Sequence, residues 1–136
     1  TTAFHKKGST DKTILNYLLN NKIKMIDTKQ GYSKCSTLIV DNSSIITSDK
    51  SIKRSAENAG LDSLLIAEGY IDLPGYSHGF IGGASGRYLD TVYLTGSIDH
   101  HPDGEKIRHF IESKGIHLKI LSDRKIIDAG SIFFIG

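Results

Sequence analysis

Ser36-Thr37-Leu38-Ile39-Val40 begins the stretch of sequence that decides the fold, and the pattern that it opens occurs twice. The first copy runs from Ser36 to about Glu68, and the second runs from Phe80 to about Ser122. In each copy, two apolar runs separated by a turn precede a helical segment and a final apolar run, which predicts strand, strand, helix, strand. A unit that recurs in this way indicates a repeat architecture. The predicted strands are 36–40, 45–47 and 64–66 in the first copy and 80–85, 91–95 and 118–121 in the second.

The second copy carries a polar insertion after its second strand. Ser48 and the helix-ending Gly60 are 12 residues apart in the first copy, whereas the matching Gly96 and Gly115 are 19 residues apart in the second. The excess is the loop Ile98-Asp99-His100-His101-Pro102-Asp103-Gly104. Loops on a repeated scaffold often carry function, so this insertion is a candidate site.

The helical segment of each copy places its apolar residues on one face. The segment 50–59 follows Ser48-Asp49, which can cap a helix, and the segment 104–114 stops at Gly115. Helices that alternate with short apolar strands predict an α/β fold with a mixed sheet in each unit, and the residues from Gly69 to Gly79 read as a linker between the units. The expected inward-facing residues are Ile52, Ala56 and Ala59 in the first helix and Ile107, Phe110 and Ile111 in the second.

Both ends of the chain read as incomplete units. A helix capped by Thr10-Asp11 and a strand over 23–26 are the second half of a unit whose first two strands are missing, and 128–135 reads as the first strand of a further unit. We therefore predict a single domain over 1–136, with units at about 1–28 (incomplete), 29–69, 79–123 and 124–136 (incomplete). Open sheet edges are normally paired or covered, so we expect a homo-oligomer or a missing N-terminal segment.

The composition is that of an ordinary globular protein. Hydrophobic residues make up 38% and charged residues 24% of the 136 residues, and the net charge of +2 is too small to indicate nucleic-acid binding. The sequence contains no apolar run long enough to cross a membrane, which requires about 18–20 residues. Its single cysteine fits a reducing cytoplasm. No motif calls for a cofactor.

Three glycine-bearing segments precede first strands of units, and we call them the lead-in segments. They are Gln30-Gly31-Tyr32-Ser33-Lys34-Cys35-Ser36, Gly79-Phe80-Ile81-Gly82-Gly83-Ala84-Ser85-Gly86 and Asp128-Ala129-Gly130-Ser131. Together with Gly96-Ser97-Ile98-Asp99-His100-His101-Pro102-Asp103, the first two resemble an uncharacterised bacterial family assigned to the pentein, or guanidine-modifying-enzyme, fold. The chain is similar to the C-terminal portion of such proteins, whose members usually carry a further N-terminal half.

The resemblance implies a partial α/β propeller of about two and a half units, with the lead-in segments facing a central channel. It also implies a hydrolase or transferase that acts on a small amidine-, guanidine- or amide-like compound through a cysteine nucleophile, a histidine and acidic residues. The chain departs from the catalytic members in two ways: Lys34 stands where a histidine often precedes the cysteine, and the lead-in segment at 128–131 has no cysteine. The fold also includes non-catalytic binding proteins, so it does not decide the chemistry.

Cys35 is the candidate nucleophile because a thiolate can attack an amidine carbon. A neighbouring cation such as Lys34 could lower the pKa of the thiol, although adjacent residues of a strand point to opposite faces. The alternative is that Cys35 is a small buried hydrophobe that leads into the first strand.

The insertion supplies the candidate acid and base groups. A histidine beside a carboxylate, here His100 or His101 with Asp99, can transfer protons during catalysis. The same three residues could instead bind a divalent metal. The plainer alternative is that Pro102 and Asp103 start the following helix, Asp103 as its cap.

The remaining candidates would bind substrate at the lead-in segments. They are Gln30, Tyr32, Lys34, His78, Gly82, Gly83 and Asp128, of which Asp128 would pair with a substrate cation. The alternative for the glycines is that they relieve crowding where the segments meet. Three functions therefore stay open: an enzyme with Cys35 as nucleophile, a non-catalytic binding or assembly module, and a metal-binding protein that uses the Asp99-His100-His101 loop.

Overall fold

The computed structural model describes residues 2–29 and 31–135, and within them three units follow one another along the chain. The first unit is β1-α1-β2, and the second and third units each have two strands, a helix and a third strand. A short helical turn, α2, precedes the second unit. The bounds are β1 Thr2–His5, α1 Lys12–Asn20, β2 Lys24–Asp27, α2 Ser33–Ser36, β3 Thr37–Ile39, β4 Ser44–Thr47, α3 Lys50–Asn58, β5 Asp62–Leu65, β6 Ser85–Tyr88, β7 Thr91–Leu94, α4 Gly104–Glu112 and β8 His117–Ile120.

The second and third units have the same topology, which confirms the repeat. The sheet order is β3-β4-β5 in one and β6-β7-β8 in the other, and in both the first pair is antiparallel and the second pair is parallel. A helix joins each parallel pair, as a crossover between parallel strands requires. In the first unit, β1 and β2 form the same parallel pair around α1.

Two lead-in segments contain turns, and the turn in the second of them replaces most of the strand predicted over 80–85. Residues 33–36 form a helical turn closed by a hydrogen bond from Ser36 N–H to the Tyr32 carbonyl (3.0 Å). Residues 80–84 also turn, with Gly83 N–H and Ala84 N–H both donating to the Phe80 carbonyl at 3.1 Å, and the strand begins only at Ser85. The N–H groups of Gly83 and Ala84 bond within their own segment instead of to a neighbouring strand, so a turn replaces the predicted strand over 80–84.

The chain ends also differ from the prediction. Thr2–His5 is a strand, so the first unit contains its second strand as well as its helix and last strand, and the prediction that two strands were missing is wrong. Residues 128–135 contain no strand, although Ile132 N–H donates to the Ser85 carbonyl (3.1 Å). Phe134 packs on Tyr88 and Tyr93, with ring centroids 5.1 and 4.9 Å apart.

Two of the three long helices bury an apolar face. Asp49 caps α3 by accepting hydrogen bonds from Ser51 and Ile52 N–H (2.6 and 2.9 Å), and Asp11 caps α1. Asp103 precedes α4 as predicted, but its side chain makes no capping bond. The buried helix residues are Ile52 and Ala56 in α3 and Ile107 and Ile111 in α4, whereas Ala59 and Phe110 are half-buried and α1 buries none.

The second and third units share one hydrophobic core. Leu38, Val40 and Ile46 of the second unit pack in one cluster with Val92 and other residues of the third. A smaller cluster of Ile45, Ile52 and Ala56 is contacted by Phe4 of β1 and ties the first unit to the second. Burying one such aliphatic side chain contributes about 1.5–3 kcal/mol, so the shared core holds the units in fixed positions.

Candidate functional site

The structure brings the three lead-in segments together. Gly83 N–H donates a hydrogen bond to the Cys35 carbonyl (3.1 Å), and Ala129 N–H donates to the Gly83 carbonyl (3.2 Å). The Ser131 hydroxyl donates to the Gly82 carbonyl (3.2 Å). These bonds link residues far apart in sequence, and each includes a group of the segment 79–84, which therefore lies between the other two segments.

Gly82 and Gly83 are needed because other segments lie where a side chain would be. A Cβ on Gly82 would lie 2.2 Å from the Lys34 carbonyl oxygen and 2.6 Å from that of Cys35. A Cβ on Gly83 would lie 2.0 Å from an oxygen of Asp128. These distances are far below a van der Waals contact, so the two glycines allow close approach of backbones and fill an architectural role.

Asp128 fixes the central lead-in segment. One of its carboxylate oxygens accepts a hydrogen bond from Phe80 N–H (3.0 Å) and the other accepts one from Gly130 N–H (3.0 Å). Asp128 also packs against Gly79 and Gly83. Both oxygens therefore accept hydrogen bonds from the protein's own backbone.

Cys35 and Lys34 lie on the helical turn α2 and not on a strand. Cys35 is half-buried, and its sulfur makes no hydrogen bond to any described residue. The Lys34 ammonium donates to the Ser131 hydroxyl and lies 5.0 Å from the centroid of the Phe133 ring. The strand geometry assumed for these two residues is wrong, because a helical turn presents neighbouring side chains 100° apart and not on opposite faces.

An open cleft of about 370 Å³ lies beside α2 and the lead-in segments. Its walls come from β1, from α2 and β3, from Gly82 and β6, and from residues 132–133. Most of the lining is apolar, with hydroxyl groups and two cations among it. The lining residues are Thr2, Ala3, Phe4, Ser33, Lys34, Thr37, Ile39, Gly82, Ser85, Gly86, Arg87, Ile132 and Phe133.

Two local features of the cleft region are unusual. Thr37, which lines the cleft, is 8% exposed, and its hydroxyl has no hydrogen-bond partner among residues 2–29 and 31–135. Buried hydroxyls are normally paired. Ser131 has a φ of 128°, a left-handed value that is strained for any residue except glycine. Its hydrogen bonds with Lys34 and Gly82 hold it in that conformation.

His101 is buried in the insertion and has a structural set of partners. Its Nδ1 accepts a hydrogen bond from Asp103 N–H (3.0 Å), so the proton is on Nε2, which donates to the Ala67 carbonyl (3.2 Å). Burial lowers the pKa of His101, although the bond to Ala67 and the charge of Asp103 oppose that shift. The imidazole is therefore held neutral, with both nitrogens occupied.

Asp103 completes this connection to the end of the second unit. Its carboxylate accepts a hydrogen bond from Ala67 N–H (2.8 Å) and another from Lys106 (2.6 Å). The bond from Lys106 and that from Ala67 lower the pKa of Asp103. We call His101, Asp103 and Ala67 the junction clamp, because they join the insertion to the segment that follows β5.

The other two residues of the insertion lie on the surface. His100 is exposed, and its Nε2 is 3.1 Å from the Asp123 carbonyl oxygen. Asp99 is exposed and accepts a hydrogen bond from the Ser97 hydroxyl (2.8 Å). The hydrogen bonds of His100, His101 and Asp99 thus lead to three different segments, and none of them reaches α2.

The remaining predicted residues are spread around the lead-in segments. His78 Nε2 lies 2.9 Å from the Glu68 carboxylate, and the ring meets Phe80 edge-on. Tyr32 is 72% exposed. Gln30 lies outside the described residues. In the described part of the chain, no group of three or more histidine, cysteine, aspartate or glutamate residues could hold a metal ion, and no helix there is long and apolar enough to span a membrane.

Sequence reasoning missed Arg87, Thr37 and Phe133. Arg87 follows the last glycine of its lead-in segment, and Lys34 lies in another lead-in segment. A cation near the glycines of both segments was therefore the sequence signal that could have identified Arg87. No sequence signal identified Thr37 or Phe133, because the cleft that they line is formed by segments distant in sequence.

Among solved structures, the chain is similar to a deiminase. An agmatine deiminase from C. jejuni shares 14% sequence identity and superposes with a TM-score of 0.46 over 95% of this chain. The chain spans 49% of that protein. No curated protein matches the sequence.

Comparison with protein families gives a match over almost the whole sequence. Residues 1–133 match a family described as a family of unknown function, DUF6873. The match includes all three units and all three lead-in segments. The chain therefore belongs to the DUF6873 family.

Proposed function

We propose that this chain is a binding module that takes a small molecule in the cleft beside α2. The observation that carries the proposal is the cleft itself, about 370 Å³ in volume and formed where two lead-in segments meet β1 and residues 132–133. That volume lies within the range of small-molecule sites, about 300–1,000 Å³, and a mainly apolar lining with a few polar groups is typical of them.

The positions of the predicted acid and base groups favour binding over catalysis. His101 is held neutral with both ring nitrogens bonded, and His100 and Asp99 bond to Asp123 and Ser97. Catalysis by Cys35 requires a proton-transferring group near the sulfur. The strained φ of Ser131 next to the cleft also fits a site, since strain of this kind persists where function holds it.

A ligand-observed NMR screen with small aromatic acids, alcohols and amines tests this proposal. Ile39 lines the cleft and is 56% exposed, so Ile39→Trp narrows the cleft without disturbing the core. Leu19→Trp, at a 73% exposed position of α1, is the matched control. We expect compounds that bind the native chain and Leu19→Trp but not Ile39→Trp. A screen that finds no compound with this pattern overturns the proposal.

The second candidate is a hydrolase of a small amidine, guanidine or amide with Cys35 as nucleophile. It is favoured by the position of Cys35, half-buried on the same turn as Lys34, which lines the cleft. The thiolate would attack the carbon of a protonated amidine, and ammonia would leave with a proton that the substrate itself carries, which gives a thioimidate. Water would then cleave the C–S bond to give the amide and the free thiol. Under this hypothesis the chain would share the cysteine chemistry of the catalytic penteins that its sequence resembles.

Ammonia release from agmatine, benzamidine and asparagine tests the second candidate. Turnover by the native chain that is abolished in Cys35→Ala, with the fold intact by circular dichroism, would establish it. The control is Ser113→Ala, at an exposed position in the described structure and distant in sequence from α2. Turnover that persists in Cys35→Ala, or none with any of the three compounds, excludes this reading of the site.

We further propose that the chain associates with a second copy through α1. Ile14 and Tyr17 lie one turn apart on the same side of α1 and are 49% and 62% exposed, whereas α3 and α4 bury the apolar residues of their inner faces. An exposed apolar face of this kind marks an interaction surface. Sedimentation velocity is expected to show a dimer that Ile14→Glu converts to monomer and Asn16→Glu does not. A native monomer at high concentration contradicts the proposal.

A further inference from the structure

We infer that the cleft beside α2 binds an organic anion with an apolar body, such as an aromatic carboxylate. This inference deepens the proposed binding function and rests on it. It concerns the charge of the ligand, which neither the repeat nor the lead-in segments define. The inference also departs from the pentein resemblance, which implies a cationic substrate.

The charges that line the cleft are all positive. Lys34 and Arg87 both line it, and no aspartate or glutamate does. Among the described residues, the Lys34 ammonium contacts a neutral hydroxyl, on Ser131, and the face of the Phe133 ring. Arg87 is exposed and forms no ion pair with any described acidic residue. Two cations without an acidic partner favour an anionic ligand, since a carboxylate accepts strong hydrogen bonds from both.

The structure offers no carboxylate for a cationic ligand at this place. Asp128 is the acidic residue of the lead-in segments, and its two oxygens accept hydrogen bonds from Phe80 and Gly130 N–H. It does not line the cleft. A guanidinium or amine in the cleft would therefore meet two like charges and no counter-charge, which is unfavourable.

The cleft wall also contains a buried hydroxyl. Thr37 lines the cleft, is 8% exposed, and its Oγ1 has no hydrogen-bond partner within the described residues. The neighbouring Thr47 hydroxyl, by contrast, is buried and donates to the Ser36 carbonyl (2.7 Å). Its oxygen has almost no exposed surface, and Ser36 and Ser63 have unpaired buried hydroxyls of the same kind, so Thr37 is part of the cleft wall and not a direct ligand contact.

The apolar walls define the body of the ligand. Phe4, Ile39 and Phe133 line the cleft together with Ala3 and Ile132, from three separate segments. Phe133 is 77% exposed, and this aromatic surface would lose its contact with water when a ligand packs on it. A ring or short hydrocarbon chain that ends in an acidic group therefore matches both the walls and the charges.

A fluorescent reporter allows a direct test, because the chain contains no tryptophan. Phe133→Trp places an indole in the cleft wall, and Leu19→Trp places one on exposed α1 as the control. Each variant is titrated with 4-phenylbutyrate, 4-phenylbutan-1-ol, 4-phenylbutylamine and inorganic phosphate. We expect saturable quenching or enhancement by 4-phenylbutyrate in Phe133→Trp alone, with weaker binding of the alcohol and none of the amine.

Charge-removing variants on the Phe133→Trp background identify the groups that bind the anion. Lys34→Gln and Arg87→Gln are each expected to weaken 4-phenylbutyrate binding about tenfold, the size of a lost hydrogen bond to a charged group, and to leave the alcohol unaffected. Arg54→Gln, at an exposed position of α3, is the matched control and should change nothing.

The outcomes separate this inference from the proposed function. Binding of the alcohol or the amine at least as tightly as the carboxylate overturns the anion inference and leaves the cleft as a binding site. Equal weakening by Arg54→Gln and Arg87→Gln overturns it as well, because the charge effect would then be general. The absence of any saturable response overturns both. Tight binding of inorganic phosphate alone overturns the requirement for an apolar body.

Discussion

At the scale of single residues, Gly82 shows how the chain forms its central contact. Its absent side chain allows three carbonyl oxygens, those of Lys34, Cys35 and Thr37, within 2.6 Å of where a Cβ would be. This close approach places residues 33–37, which help to line the cleft, directly against Gly82.

Gly82→Ala is expected to destabilise the protein markedly. The added methyl group must displace backbone, which side-chain rotation cannot relieve, so we expect the free energy of unfolding to fall by about 1–3 kcal/mol. Urea denaturation followed by circular dichroism measures the change. Gly31→Ala is the matched control, because nothing lies within 4 Å of its Cβ position. A Gly82→Ala variant as stable as Gly31→Ala would mean that the segments are not packed as described.

Residue-level roles could be predicted only in part. The glycines at 82 and 83 were recognised from their spacing, and relief of crowding was among the interpretations. The strand geometry assumed for Lys34 and Cys35 was wrong, because both lie in the helical turn 33–36. A segment of four residues is too short for its pattern of polar and apolar residues to distinguish a helical turn from a strand. Asp128 was predicted to pair with a substrate cation. Its hydrogen bonds to backbone amides could not be predicted, because such partners leave no trace in a sequence.

At the scale of elements, the insertion after β7 joins two units. The His101 ring and the Asp103 carboxylate bond to the carbonyl and amide of Ala67, so the loop connects α4 to the end of β5. The sequence of this loop is rich in polar residues, from which we predicted catalysis, metal binding or the start of a helix. The junction clamp was not foreseen, because its partner is the backbone of a residue 34 positions away.

The junction clamp makes stability depend on pH. Burial lowers the pKa of His101 in the folded protein below its ordinary value of 6.5, while the unfolded chain keeps that value. The unfolded state therefore binds more protons as pH falls below about 6.5, and the free energy of unfolding decreases with it; above 6.5 this contribution is constant. Urea denaturation at pH values from 5 to 8 is expected to show this decrease.

His101→Gln separates the clamp from other titrating groups. The variant should be less stable at pH 8, because a hydrogen bond to Ala67 is lost or weakened, and its stability should vary less between pH 8 and pH 5 than that of the native chain. His109→Gln, on the exposed side of α4, is the control and should keep the native dependence. Equal pH dependence in the native chain and His101→Gln would show that the ring is not held neutral.

At the scale of the whole molecule, repetition was the most predictable property. Alternating apolar runs and helix signals gave the strand-strand-helix-strand units, and the sheets β3-β4-β5 and β6-β7-β8 confirm them. Local patterns determine these elements, which is why one sequence was sufficient. The cleft was not predicted, because its walls come from β1, α2, β6 and residues 132–133, whose meeting depends on how units pack.

The central claim is that this cleft is a binding site, and chemical-shift mapping tests it most directly. Amide spectra of the ¹⁵N-labelled native chain are recorded during titration with 4-phenylbutyrate. We predict saturable shifts concentrated at residues 2–4, 33–39, 82–87 and 132–133. Shifts confined to α1 or to the insertion at 98–104, or the absence of any saturable shift, would contradict the account.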